Sequence, residues 1–300
     1  MMETMKIAII DSGLDAGFPF LFPCSVSGIS ITRDHMGISI HKDHYQDENG
    51  HGTLAASVIW KECSSVELFV VKILNRDLKG DIGLLNAALE YLSCTDVNII
   101  NMSIAVNHGT SDGTLTKICD QLYAQNKILV SSIANGQRAS YPACCHSVIG
   151  VRGMRLRDHM QFLFMPDRRV NCIVNDLPYL HYKGDGKYAL YGGHNSYAAA
   201  KATGIIARIL LQKSGLSVKE QMEVIKEQSQ LHPWNLTILE RYRGYPVFRD
   251  DSVHYEQQFL TELTGHIAAF FSLRQPELLY DYSLFSSKVG GRTTEFAFSL

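Results

Sequence analysis

Three short stretches of this 300-residue sequence carry side chains that could move a proton or attack an electrophile. Asp11-Ser12-Gly13 follows directly on an apolar run. A carboxylate there can accept a hydrogen bond from an imidazole, and the glycine permits a tight exit turn. Asn49-Gly50-His51-Gly52-Thr53 sets a histidine between two glycines at the start of an alanine-rich helix. A second backbone, such as a substrate's, could come close to that ring. Asn195-Ser196-Tyr197 places a serine in the first turn of an apolar helix, where free N–H groups favour developing negative charge. Each stretch alone has an ordinary alternative: a turn aspartate, a structural or solvated histidine, an N-cap serine worth about 1 kcal/mol. Asp-Ser-Gly-Leu-Asp-Ala-Gly also lacks the G-x-G-x-x-G spacing that brings backbone against a pyrophosphate.

The elements around these residues alternate between strand and helix. Lys6 to Ile10, Glu67 to Leu74, Val97 to Met102, Ile128 to Ser132 and Ser147 to Val151 are short continuous apolar runs, as strands buried on both faces should be. Helical spacing predicts helices over His51 to Trp60, Ile82 to Leu92, Leu115 to Gln125 and Tyr197 to Leu211. This pattern predicts an α/β fold, a doubly wound, mostly parallel sheet with helices on both faces. Reacting residues in such sheets gather at the carboxyl ends of strands. Asp11, Ser103 and Asn135 all fall there. From about His232 the pattern changes, so the expected division is a domain over residues 1–230 and a C-terminal extension over 231–300, with a helical stretch from Tyr255 to Leu273.

Composition narrows the function classes. A net charge of −2 and a pI near 6.6 give no basic surface, which argues against a nucleic-acid partner. No apolar stretch reaches the roughly 20 residues that cross a bilayer. Seven scattered cysteines, odd in number and without zinc-site spacing, read as reduced thiols. With no leader-like apolar segment ahead of Lys6, the expectation is a soluble cytoplasmic protein.

Taken together and in this chain order, the segments around Asp11, His51 and Ser196 resemble the three signature segments of the subtilisin-like serine peptidases. The resemblance covers roughly Lys6 to Lys213. It implies Ser196 as nucleophile, His51 as general base and then acid, and Asp11 as the group that orients the imidazole. It implies further that Ser103, Ile104 and Ala105, after the strand Val97 to Met102, pair with substrate. Asn135, which ends Ile-Leu-Val-Ser-Ser-Ile-Ala-Asn, would supply an oxyanion-hole donor beside the Ser196 N–H. Three positions depart from the family. Ala134 stands where it has glycine, and would be strained if that backbone needs a positive φ. Asn195 stands for threonine before the nucleophile, and Ala200 for a proline in the helix.

The function so implied is a serine endopeptidase acting on a peptide or protein substrate through an acyl-enzyme, with no cofactor and no metal. It would mature a specific intracellular precursor or trim proteins generally. The alternative is a pseudo-peptidase or peptide-binding module of a peptide-modification pathway. The presence of all three reacting side chains favours the enzyme. In the tail, Gly290-Gly291-Arg292-Thr293-Thr294 faintly resembles the phosphopantetheine-attachment turn of carrier proteins, with Thr293 in place of serine, which suggests a docking partner for the extension.

Overall fold

The computed structural model describes residues 4–229 apart from 19–23, 36, 107–112, 138, 155–161, 167–169, 177–178, 185–186 and 214. The strands are β1 (Met5–Asp11), β2 (Ser25–Asp34), β3 (Gly37–Lys42), β4 (Val66–Lys72), β5 (Ile99–Met102), β6 (Ile128–Ser132), β7 (Val148–Met154), β8 (Phe162–Phe164), β9 (Cys172–Asn175), β10 (Tyr179–Gly184) and β11 (Lys187–Tyr191). The helices are α1 (His51–Glu62), α2 (Ile82–Ser93), α3 (Thr114–Ala124), α4 (Asn195–Leu210) and α5 (Val218–Gln228). Among the described residues nine strands form one sheet in the order β3-β2-β4-β1-β5-β6-β7-β9-β8, while β10 and β11 form a separate hairpin. The pairings from β2 through β9 are parallel, and the two edge strands, β3 and β8, are antiparallel.

The continuous apolar runs follow from burial on both faces. Along β1, Ile7 and Ile9 pack into a core shared with α1, α4 and α5, while Ala8 and Ile10 pack into a second core with α2 and α3. Strand periodicity of two thus feeds two layers from one segment. On the first face α1 and α4 approach closely. A Cβ on Gly204 would lie 2.5 Å from the Glu62 Cβ and 2.9 Å from the Ile59 carbonyl oxygen, so this crossing requires glycine.

The nine segments named from apolar pattern are all present, with ends shifted by a few residues at most. The strand–helix alternation did not include the hairpin β2–β3, the edge pair β8–β9, the hairpin β10–β11 or α5. These are antiparallel or peripheral additions that no βαβ rhythm predicts. The expected extension over residues 231–300, its helical stretch and the turn around Thr293 lie outside the described residues.

Candidate active site

Strand β1 ends on Asp11, which is fully buried. Gly13, with φ at 118°, then turns the chain away. Helix α1 begins at His51, and α4 begins at Asn195 with Ser196 in its first turn. These three places meet at the carboxyl end of the parallel strands. The Asp11 Oδ1 accepts from the Ser12 N–H at 2.7 Å and from His51 Nδ1, also at 2.7 Å. Because Nδ1 donates to the carboxylate, Nε2 of the neutral ring is left as an acceptor, 3.1 Å from the Ser196 Oγ. Burial by itself lowers the His51 pKa. The Asp11 charge and hydrogen bond, helped by the more distant Asp47, outweigh it and hold the pKa above the ordinary 6.5.

The loop before α1 is organised by Asp47, a residue the sequence reading did not single out. Its carboxylate accepts from the N–H groups of Asn49 (3.0 Å), Gly50 (2.9 Å) and Thr53 (2.9 Å), and from the hydroxyls of Thr53 (2.6 Å) and Ser12 (2.9 Å). Burial pushes the Asp47 pKa up, but the Thr53 hydroxyl and these amides more than offset that and keep it below the usual carboxylate range. Ser12 Oγ in turn accepts from the Gly52 N–H at 3.0 Å, which ties the exit of β1 to the first turn of α1. A Cβ on Gly52 would run into the Gly13 carbonyl oxygen. The backbone that comes close at Gly52 is therefore the chain's own, and only the Gly50 side lies open. The one signal in sequence was an acidic residue four positions before the histidine, which is common in loops.

Asn135 lies three residues beyond β6 and faces α4. Its Oδ1 accepts from the Asn195 N–H at 3.0 Å. An N–H can bond only the carboxamide oxygen, so this contact fixes which way the amide is turned and leaves Nδ2 as the free donor. Asn195 is buried and its own Oδ1 accepts from the Gly153 N–H at 2.9 Å, tying the residue before Ser196 to β7. Among the described residues no acceptor meets the Ser196 N–H. The concern over Ala134 is removed. The positive φ falls at Gly136 (71°) and not at Ala134, whose N–H is held by Ser140 Oγ at 2.9 Å. At Ala200, where a proline was the family expectation, α4 continues unbroken to Leu210.

Ser103, Ile104 and Ala105 follow β5 and, with His51, Asn135 and Ser196, line a cavity of about 330 Å³. Leu74, Ile82, Leu85 and Val106 give this cavity apolar walls. Ser103 is not idle there, since its Oγ lies 3.5 Å from the Ser196 carbonyl oxygen. A second cavity of about 320 Å³ lies against Met5, Ile99, Ile128 and Leu210 and contains none of these groups. Among the described residues no cluster of three or more His, Cys, Asp or Glu could hold a metal ion, and no helix is long and apolar enough to cross a membrane.

The chain is similar to known proteins over most of the described region. The model of the subtilase family matches residues 3–168, which includes Asp11, His51 and Asn135 and stops before Ser196. The intracellular serine protease of Paenibacillus polymyxa is 25% identical over 222 residues, 68% of this chain and 66% of that one. The minor extracellular protease Epr of Bacillus subtilis (strain 168) is 28% identical over 162 residues, 50% of this chain and 23% of that one. The chain thus spans about two thirds of the first relative's length and about a quarter of the second's. Among solved structures, sphericase superposes with a TM-score of 0.62 at 17% identity, over 76% of this chain and 83% of that one, which shows a shared fold. With a match over more than half of its length, this chain belongs to the subtilase family of serine peptidases.

Proposed function

We propose that this subtilase is a serine endopeptidase in which Ser196 is the nucleophile, His51 the general base and then acid, and Asp11 the group that orients the ring. The observation that carries this reading is the continuous chain from Asp11 Oδ1 through His51 to Ser196 Oγ, at 2.7 Å and 3.1 Å. Ser196 Oγ attacks the scissile carbonyl carbon while its proton passes to His51 Nε2. The resulting imidazolium is stabilised by the buried Asp11 carboxylate. The carbonyl oxygen becomes an alkoxide that accepts hydrogen bonds from Asn135 Nδ2 and the Ser196 N–H, at the positive end of α4. The intermediate collapses, the C–N bond breaks, and His51 returns the proton to the leaving amine. Water then repeats the sequence on the acyl-enzyme and frees Ser196. The substrate lies extended along Ser103 to Ala105, with side chains in the apolar cavity.

The cytoplasm is the compartment this reading adopts, on the strength of seven scattered free cysteines and of a relative called an intracellular protease. The purified protein should cut a peptide library at internal bonds, and Ser196→Ala should bind the same peptides without cutting them. Peptide binding by the parent with no cleavage would replace the endopeptidase by a peptide-binding module.

A further inference from the structure

Helix α4 is joined to the sheet through a buried polar chain that the reaction does not consume. Asn101 in β5 and Thr203 in α4 are both fully buried. Thr203 Oγ1 donates to Asn101 Oδ1 at 3.0 Å, Asn101 Nδ2 donates to Ser103 Oγ at 3.2 Å, and Ser103 Oγ reaches the Ser196 carbonyl oxygen at 3.5 Å. Thr203 follows Ser196 by seven residues, two turns on, so both lie on one face of the helix. One carboxamide therefore holds α4 at two heights. The grip is direct at Thr203 and, through a long and hence weak bond, indirect at the peptide of the nucleophile.

Small side chains make up much of the surface that this helix packs against the sheet. Near the site its buried surface includes the small residues Ala198, Ala199, Ala200, Ala202 and Gly204, whose ridges are shallow, beside one large side chain, Tyr197, and the buried Lys201. Directional hydrogen bonds inside a core resist sliding and rotation more strongly than small side chains do, and Lys201 Nζ, which donates to the Asn175 carbonyl oxygen at 3.1 Å, adds a second such bond. Burying Asn101 is tolerable only while both ends of its carboxamide are satisfied, so the native register is the one in which Thr203 meets it.

We propose that Asn101 and Thr203 are positioning residues, whose hydrogen bond sets the register of α4 on β5 and so holds Ser196 within reach of His51. The effect on rate rests on Ser196 being the nucleophile, while the effect on position does not. A displacement of about 1 Å at a reacting atom can cost about 100-fold in rate, so a partial loosening is expected to be visible.

The test is Thr203→Val, which removes only the hydroxyl, beside Thr203→Ser, which keeps it and removes the methyl. Thermal melts first establish that both variants are folded at the assay temperature. With a fluorophosphonate probe, Thr203→Val should be acylated about tenfold more slowly, and kcat on a peptide should fall by a similar factor with KM within about twofold. Thr203→Ser should stay within about threefold of the parent in both. Position is read without reaction from the carbon-bound ring-proton resonances of His51, which should move in Thr203→Val and stay in Thr203→Ser. Moved resonances in a protein that no probe acylates would support the positioning role and overturn the peptidase reading instead. Parent-like labelling and unmoved His51 resonances in a folded Thr203→Val would overturn the inference, because a merely structural bond would lower the melting temperature and nothing else.

Discussion

The two helices that deliver the proposed reacting side chains begin in opposite ways. At α1 the free N–H groups of the first turn and its approach are filled. Asp47 accepts from Asn49, Gly50 and Thr53, and Ser12 accepts from Gly52. At α4 the residue before the helix, His194, makes no side-chain cap. One N–H, on Asn195, is used to anchor Asn135, and the Ser196 N–H meets no acceptor among the described residues. An uncapped helix start ordinarily costs about 1 kcal/mol. Under the proposed reaction, the difference teaches what each end is for. A base has to be fixed before reaction, so its helix start is saturated with internal acceptors. A site for a transient anion has to keep its donors aimed and unsatisfied until the charge appears.

The largest effect should come from breaking the open end. Asn135→Ala removes one of the two donors at the proposed oxyanion position and frees the Asn195 N–H, and kcat should fall about 10²–10³-fold with little change in KM. Steady-state kinetics with a melt on the same sample measure it. If Asn135 only closed a turn, the melt would change and turnover would not.

Breaking the saturated end should mix stability with rate. Asp47→Ala strands the N–H groups of Asn49, Gly50 and Thr53 together with two hydroxyls, and should cost about 2–3 kcal/mol of stability. It should also lower kcat about tenfold as His51 loses its fixed approach. Denaturant unfolding and kinetics separate the two effects, and a stable, slow variant would show that Asp47 acts on the ring alone.

The same comparison can be sharpened by pH. His51 must be neutral to act as a base, and its pKa is raised above 6.5. Acylation should therefore fall about tenfold per pH unit below a midpoint that lies above 6.5, not at it. Stability runs the other way. A raised pKa in the folded protein favours folding below the unfolded value and loses that contribution as pH rises through the folded one. Asp47→Asn should bring the kinetic midpoint down, since Asp47 is one of the charges that raise it.

The smallest effect belongs to an ordinary helix start far from the chemistry. Ser217 caps α5 in a capping box with Glu220. Ser217→Ala should cost about 1 kcal/mol and leave kcat unchanged, as a melt beside a turnover assay would show.

Much of this arrangement was legible in the sequence, and the parts that were not share a physical reason. The central strands were readable because burial on both faces makes them continuous apolar runs. The antiparallel edge β2–β3 was passed over because most of β3 faces solvent, with Ile38 and Ile40 exposed, and it adds no βαβ unit. Asp11, His51 and Ser196 sit in local contexts of glycine, alanine and helix start that are ambiguous one at a time and legible only together and in chain order. Asp47, Asn101 and Thr203 are not legible even then. Asp47 is a loop carboxylate whose partners Asn49, Gly50 and Thr53 are close in sequence but form no distinctive pattern, while the meaning of Asn101 and Thr203 lies in each other, 102 residues apart. The fears raised by Ala134 came from a family pattern, and the backbone answered them by placing the positive φ at Gly136.

The central claim is that Ser196 is made nucleophilic by His51 at the start of an uncapped helix. Its most direct test is to treat the protein with a fluorophosphonate at pH 8, digest it and locate the adduct by mass spectrometry. The account predicts one adduct, on Ser196, absent from Ser196→Ala and strongly slowed in His51→Ala. An adduct on another residue, or undiminished labelling of Ser196→Ala, would contradict it.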